Sequence, residues 1–406
     1  MPMIFARPAY RKLGVLTALA ILLDGLDSQA LSFALPAIAG EWGVEKGSFG
    51  IVFMVGLIGM SVGTILLGHA GDRIGRPAAM AISVVLFGLF TGLCAIADGV
   101  NEMLAFRFIA GLGMGGAIPN AAAIMSETVV PRWRPLAVTS TILCIPLGGM
   151  VGGFLASWIL PAFGWRPLFV GCGLVSMLLG IALFLERRAA PVSDGAHAAA
   201  SPGFGKAAAL LLAGNVRRDT LAIWAAYFWS MMAVYLSLNW LPSLLAGEGF
   251  DLRGASLVAA IFNCGGIVGA LLGAALIRPF GSKIVLVAMA LGGGATSALL
   301  VAWPPHPGAF APTLALLALL GVFSAGIQSI LFAVAAQLYA VETRATAIGV
   351  AVGFGRTGAM ISAIAGGALI GVEGGGFFVV IALLMTMLAI SLTILRKHVS
   401  RHHDAA

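Results

Sequence analysis

The sequence predicts an all-α polytopic membrane protein: twelve spanning helices arranged as two six-helix halves. Three observations carry that reading. The 406 residues are 60% hydrophobic and only 10% charged, with a mean hydropathy of +1.04, whereas a water-soluble domain uses about 25% charged residues to solvate its surface. Apolar windows of about 20 residues, long enough to cross a bilayer as helix, centre near residues 26, 59, 88, 115, 148, 176, 232, 265, 294, 322, 358 and 385. The longest joint falls in the middle, with six windows on either side. Helices follow because only a helix satisfies every backbone group inside one apolar segment of that length.

In chain order, the first window, roughly residues 13–39, contains LDGLDSQ at 23–29. It is too long for a secretory signal and runs straight on into membrane sequence, so it reads as uncleaved. A carboxylate at a bilayer centre costs at least about 2.5 kcal/mol, so Asp24 and Asp27 are expected to face an interior cavity and do work there. From a helix start near residue 13, Asp24 lies about 16 Å and Asp27 about 21 Å along the axis, and their spacing puts both on one face. Two carboxylates this close in a low-dielectric cleft do not readily both ionise, which is what a proton-coupling site requires.

The second and third windows are joined by GHAGDRIGRP at 68–77. Gly68, Gly71 and Gly75 permit close approach and a sharp turn, Asp72 can cap the third helix or face a partner helix, and Arg73 and Arg76 add positive charge. The fourth window carries Arg107, which can either reach Asp27 or snorkel to the outer interface. It also holds Asn120 and ends at Glu127, placed to pair with Arg73 or Arg76 as a gate latch. The fifth contains GGMVGG at 148–153, one of several runs of small residues that let helix backbones touch and slide. The sixth runs into ERRAAPVSDGAHAAASPGFGK, starting at residue 186. This Ala-, Pro-, Gly- and Ser-rich stretch predicts an N-terminal half over 1–186, a cytoplasmic linker over 187–218 and a C-terminal half over 219–406.

On the seventh window, Trp224, Tyr227, Phe228, Met231, Tyr235 and Asn239 share one helical face. Such a stripe is either core packing or the flat apolar wall, with a few polar groups, that an aromatic acid needs. Asn263 of the eighth window and Gln328 of the tenth, like Asn120, are each an interhelical hydrogen bond or a cavity-lining amide. On the eleventh, Arg356 stands about 16 Å from a start near residue 345. Its guanidinium offers a bidentate fork for a substrate carboxylate, or an ion pair for a helix 1 aspartate. Arg344, at the start of that helix, joins the expected gating set.

Charge orients the chain. Of 23 Lys and Arg, 18 lie at the termini and on alternate joints; Lys46, Arg166 and Arg253 lie on the others, and Arg107 and Arg356 fall inside helices. Both termini are therefore expected in the cytoplasm. Cys94, Cys144, Cys172 and Cys264 read as small packing residues. No G-x-x-x-x-G-K-[ST] occurs, which disfavours an ATP-driven pump, and all six histidines fall at joints or tails, which disfavours a membrane metalloenzyme or haem protein.

The joint at 68–77 resembles the loop 2–3 motif of the major facilitator superfamily. DGLDSQALSFALPAIAGEWGV at 24–44, RFIAGLGMGGAIPNAAAIMSE at 107–127, TLAIWAAYFWSMMAVYLSLNWLPSLL at 220–245 and TRATAIGVAVGFGRTGAM at 343–360 resemble the first, fourth, seventh and eleventh helices of its aromatic acid:proton symporter family. The second-half counterpart of the loop motif, RPFGSK at 278–283, lacks the expected acid. The resemblance implies the superfamily fold and inward carriage of benzoate-like, hydroxybenzoate-like or phenylpropionate-like acids with a proton. The expectation is then a symporter of organic, chiefly aromatic, carboxylates, working by rocking of two halves; a drug or sugar-type facilitator and a non-transporting membrane sensor are the alternatives. It is expected to be no enzyme and to need no cofactor or metal. Its partners are an organic acid, a proton and the lipid of a bacterial inner membrane, with no nucleic acid, and it acts as a monomer. Asp24, Asp27 and Arg107 are the proton-coupling set; Arg356, Tyr227, Trp224, Tyr235, Asn120, Asn263 and Gln328 the substrate set; Asp72, Arg73, Arg76, Glu127 and Arg344 the gating set.

Overall fold

The computed structural model describes residues 5, 8–187, 212, 216–339, 341–371 and 375–396. Among these, twelve helices are long and apolar enough to cross a membrane. They are α1 (Pro8–Trp42), α2 (Phe49–Ile74), α3 (Arg76–Cys94), α4 (Val100–Thr128), α5 (Arg134–Phe163), α6 (Arg166–Glu186), α7 (Val216–Gly247), α8 (Leu252–Phe280), α9 (Ser282–Ala302), α10 (Phe310–Leu338), α11 (Val341–Leu369) and α12 (Gly376–Ile394). Each expected window lies on one helix. The first begins five residues earlier than expected, because Tyr10 is buried and extends the packed face toward the N-terminus. Most of the expected linker over 187–218 lies outside the described residues.

The chain divides into two compact units, Met1–His197 with Asp251–Ala260, and Ala198–Phe250 with Ile261–Ala406. In the first unit, glycines let backbone meet backbone. A Cβ on Gly63 of α2 would stand 2.0 Å from the Leu112 carbonyl oxygen of α4, and one on Gly115 of α4 equally close to that of Met60. Helices α1 and α5 cross the same way: a Cβ on Gly25 would lie 2.1 Å from the Ile145 carbonyl oxygen, and one on Gly148 only 1.9 Å from that of Leu22. Pro119 has no N–H to give the Gly115 carbonyl one turn earlier. The Thr64 hydroxyl of α2 lies 3.0 Å from that oxygen and supplies a donor from the neighbouring helix.

The second unit uses the same device at the matching helices. Cβ atoms on Gly265 and Gly269 of α8 would meet the Ala318 and Val322 carbonyl oxygens of α10 at 2.1 and 2.0 Å. One on Gly358 of α11 would meet that of Phe228 of α7 at 2.5 Å. The α2–α3 and α8–α9 turns also match: both pivot on a glycine with positive φ, Gly75 at 92° and Gly281 at 80°, where a side chain would be strained.

These contacts predict that Gly63→Val costs about 3 kcal/mol through overpacking against an unyielding backbone. Gly349→Ala, where a Cβ meets nothing, is neutral or slightly stabilising. Thermal melting of the purified variants in detergent checks both.

Candidate functional site

Asp24 and Asp27 flank the midpoint of α1 and are 2% and 1% exposed. Gly25 between them is where the α5 backbone packs directly against α1. From α4, Arg107 Nη1 lies 3.2 Å from Asp27 Oδ1 and donates also to the Asp27 backbone carbonyl at 3.2 Å. From α3, the Thr91 hydroxyl donates to Asp27 Oδ2 at 2.5 Å. The guanidinium rests over the Phe169 ring of α6, 5.2 Å from its centroid. Four helices thus converge on one ion pair.

The arrangement is uneven. Both Asp27 oxygens are engaged, but Arg107 Nε and Nη2 are buried without a hydrogen-bond partner. A desolvated ion pair stabilises weakly at best, and removing one member strands the other charge. Protonation of Asp27 would loosen Arg107, which carries two further N–H directions for a new acceptor. Asp24, one turn away on the same face, completes an acidic pair. Thr91 was beyond sequence reasoning, since an isolated threonine in an apolar helix most often bonds its own backbone.

At the α2–α3 turn, Arg76 pairs with Asp72 and donates to the Gly68 carbonyl at 3.2 Å. Two expectations are corrected here. Asp72 does not cap α3, whose N-cap is Gly75 with no side-chain bond, and Arg76 turns to Asp72 instead of Glu127. The physical reason is proximity: residues four apart across this turn meet without ordering anything else. Arg73 is exposed and Glu127 half-buried near the end of α4. Asn120 is fully buried, and its amide donates to the Leu67 carbonyl of α2 at 3.1 Å and the Gly116 carbonyl at 2.8 Å. That is the geometry of an interhelical hydrogen bond and not of a cavity wall. A Cβ on Gly71 would stand 2.1 Å from Asn120 Oδ1 and 3.1 Å from Arg76 Nη1, so Gly71 is the space in which amide and guanidinium gather.

In the second unit the α7 stripe divides. Trp224 stacks on Phe354 of α11, centroids 5.7 Å apart, and Phe228 lies 6.1 Å from the same ring. This portion is helix-to-helix packing. Tyr227 instead turns toward α10, edge-on to Phe332 at 5.3 Å. One turn on, the Ser230 hydroxyl donates to Gln328 Oε1. Tyr227 Oη, Gln328 Nε2 and Trp224 Nε1 are buried without hydrogen-bond partners. Tyr235 is half-buried, and Asn239 and Asn263 are buried on α7 and α8. Arg356 is half-buried at the midpoint of α11, and the side chain of Arg344 lies outside the described residues. Among the described residues no three His, Cys, Asp or Glu side chains gather as metal ligands.

Comparison with known proteins agrees with this architecture. The family model described as Major Facilitator Superfamily matches residues 17–305 and 223–406. The 4-hydroxybenzoate transporter PcaK of Pseudomonas aeruginosa is 31% identical, over 98% of this chain and 94% of that protein. The gallate transporter of Pseudomonas putida is 31% identical, over 88% and 84%. The 3-(3-hydroxy-phenyl)propionate transporter of Escherichia coli is 31% identical, over 87% and 85%. Among solved structures, a D-xylose-proton symporter superposes with a TM-score of 0.72 at 18% identity, covering 96% of this chain and 98% of that one, a likeness of fold alone. With twelve membrane-length helices, a family model spanning most of its length and near-full-length relatives at this identity, the chain belongs to the Major Facilitator Superfamily and is an integral membrane protein.

Proposed function

We propose that this chain is a proton-coupled symporter that carries aromatic or other organic carboxylates into the cell by alternating access, with both termini in the cytoplasm. The observation that carries the reading is the buried Asp27–Arg107 pair at the middle of α1, with Asp24 one turn away. A carboxylate retained there against a desolvation cost is a functional group by default. Binding a proton to Asp27 removes the charge that holds Arg107 and so changes which conformations of the unit are stable. The substrate class rests on the relatives, named as carriers of 4-hydroxybenzoate, gallate and 3-(3-hydroxy-phenyl)propionate.

Within this reading, Arg356 supplies positive charge for the substrate carboxylate, and Tyr227, set apart from the Trp224–Phe354 packing, lies against the ring. The unused donors on Tyr227 and Gln328 suit a ring hydroxyl. A site built to bond a hydroxyl discriminates against the analogue lacking it far more strongly than an apolar pocket does. The Asp72–Arg76 clip and Glu127 belong to the gate at the face rich in Lys and Arg.

Uptake of labelled acids into proteoliposomes, with and without an inward proton gradient, tests the scheme. Asp27→Asn is expected to abolish gradient-driven accumulation while leaving counterflow exchange of 4-hydroxybenzoate measurable; accumulation equal to that of the unaltered protein would remove Asp27 from the coupling step. Arg356→Ala is expected to raise KM about 10- to 100-fold, the loss of one charge-assisted hydrogen bond of about 1.5–3 kcal/mol, and an unchanged KM would refute its role. Tyr227→Phe is expected to weaken uptake of hydroxybenzoates about tenfold while sparing benzoate. Equal loss for both acids would assign Tyr227 to packing.

A further inference from the structure

The start of α7 and the end of α12, both in the second unit, enclose an open cavity of about 540 Å³ that the transport scheme does not use. Its lining divides by chemistry. At the mouth stand Arg217 and Arg218, adjacent and exposed in the first turn of α7. Below them the wall is aliphatic: Leu221 and Ala225 of α7 face Ile394 of α12, and Leu221 and Ile394 are 45% and 39% exposed. Arg217 to Ala225 covers about 12 Å of helix axis, a length of wall comparable to the upper part of a lipid chain.

Among the described residues the two guanidiniums meet no carboxylate. The nearest acid in sequence, Asp219, is buried and faces inward, accepting the Arg396 backbone N–H at 2.9 Å. That bond ties the beginning of α7 to the residues following α12 and holds the cavity's two walls together. The Ser391 hydroxyl is likewise engaged, donating to the Met387 carbonyl of its own helix at 2.8 Å, so it adds little polarity to the wall.

We propose that this cavity is a binding site for an anionic phospholipid, with the headgroup phosphate on Arg217 and Arg218 and an acyl chain along Leu221, Ala225 and Ile394. Paired guanidiniums match phosphate oxygens in both charge and geometry. Basic pockets between spanning helices on the cytoplasmic side hold anionic headgroups in this way, and the inference rests here on the orientation proposed above, in which this mouth lies on that side. A free phosphate would use the mouth alone and leave the aliphatic wall in contact with bulk lipid. A zwitterionic lipid would bring its own cation against two arginines. The combination of exposed positive charge above and exposed aliphatic wall below selects a lipid with net negative charge.

The test uses the full chain in nanodiscs of phosphatidylcholine, with or without phosphatidylglycerol, and reads lipid retained after mild detergent extraction by native mass spectrometry. The unaltered protein is expected to retain phosphatidylglycerol in preference to phosphatidylcholine, and inorganic phosphate is expected not to displace it. Arg217→Gln with Arg218→Gln is expected to cut that retention about tenfold, as loss of a charge-assisted contact implies. Ala225→Trp, which fills the aliphatic part and leaves both arginines in place, is expected to cut it as well, and stands as the second variant should the double change fold poorly. Retention of both lipids alike, displacement by inorganic phosphate, or undiminished retention in Ala225→Trp would each overturn the proposal.

Discussion

The Asp27–Arg107 pair sets the terms on which the first unit is built. Two charges withdrawn from water each lose several kcal/mol of solvation, and their attraction offsets this only if the remaining lone pairs and N–H groups are also met. The carboxylate meets that condition, with Arg107 on one oxygen and Thr91 on the other. The guanidinium does not, since two of its nitrogens lie bare beside the Phe169 ring. The pair is thus met by protein groups on its carboxylate side and only partly on its guanidinium side.

Holding those charges together requires helices that approach closely without being locked by large side chains. The glycine seams provide that in both units, and at matching helices: α2 with α4, α8 with α10, α1 with α5, α7 with α11. Lipid tails are as apolar as leucine, so the attraction between spanning helices comes from packing and backbone proximity. A smooth small-residue surface gives strong packing with few interlocking knobs. It therefore allows helices to shift along one another at low cost, which a Leu–Phe interdigitated core does not.

Much of this was legible in the sequence because lipid simplifies the problem. Every spanning segment must be an uninterrupted apolar helix, so twelve windows became twelve helices, and carboxylates inside one stood out against that background. What was not legible depended on which neighbour a side chain meets. Thr91 carries no signal of its own, and the choice of Arg76 between Asp72 and Glu127 turned on a turn geometry set by Gly75. In the sequence Asn120 is like any other intramembrane amide, because the room that Gly71 leaves for it against α2 exists only in the folded chain. The α7 stripe reads as one face by periodicity, yet α11 takes Trp224 and Phe228 while α10 takes Tyr227. In the sequence Arg217 and Arg218 are only two basic residues at the end of the linker, because nothing in the chain order places Ile394 beside them.

The two units also differ in the charges they place at mid-span. Near the midpoints of the spans, the acidic side chains of the whole sequence are Asp24 and Asp27, both in α1, and no histidine lies at that level. The second unit places Arg278 where the first has Asp72, and at mid-span offers Arg356 with neutral donors on α7 and α10. A proton held mid-membrane near neutral pH has to reside on a carboxylate or an imidazole, so in the proposed scheme coupling through the centre of the protein uses α1. An anionic ligand needs the reverse, positive charge and donors, which α11, α10 and α7 supply without adding a competing acid. Under the proposed function, proton and substrate are thereby handled by different units, and transport would require that the conformational preference of one depend on the other.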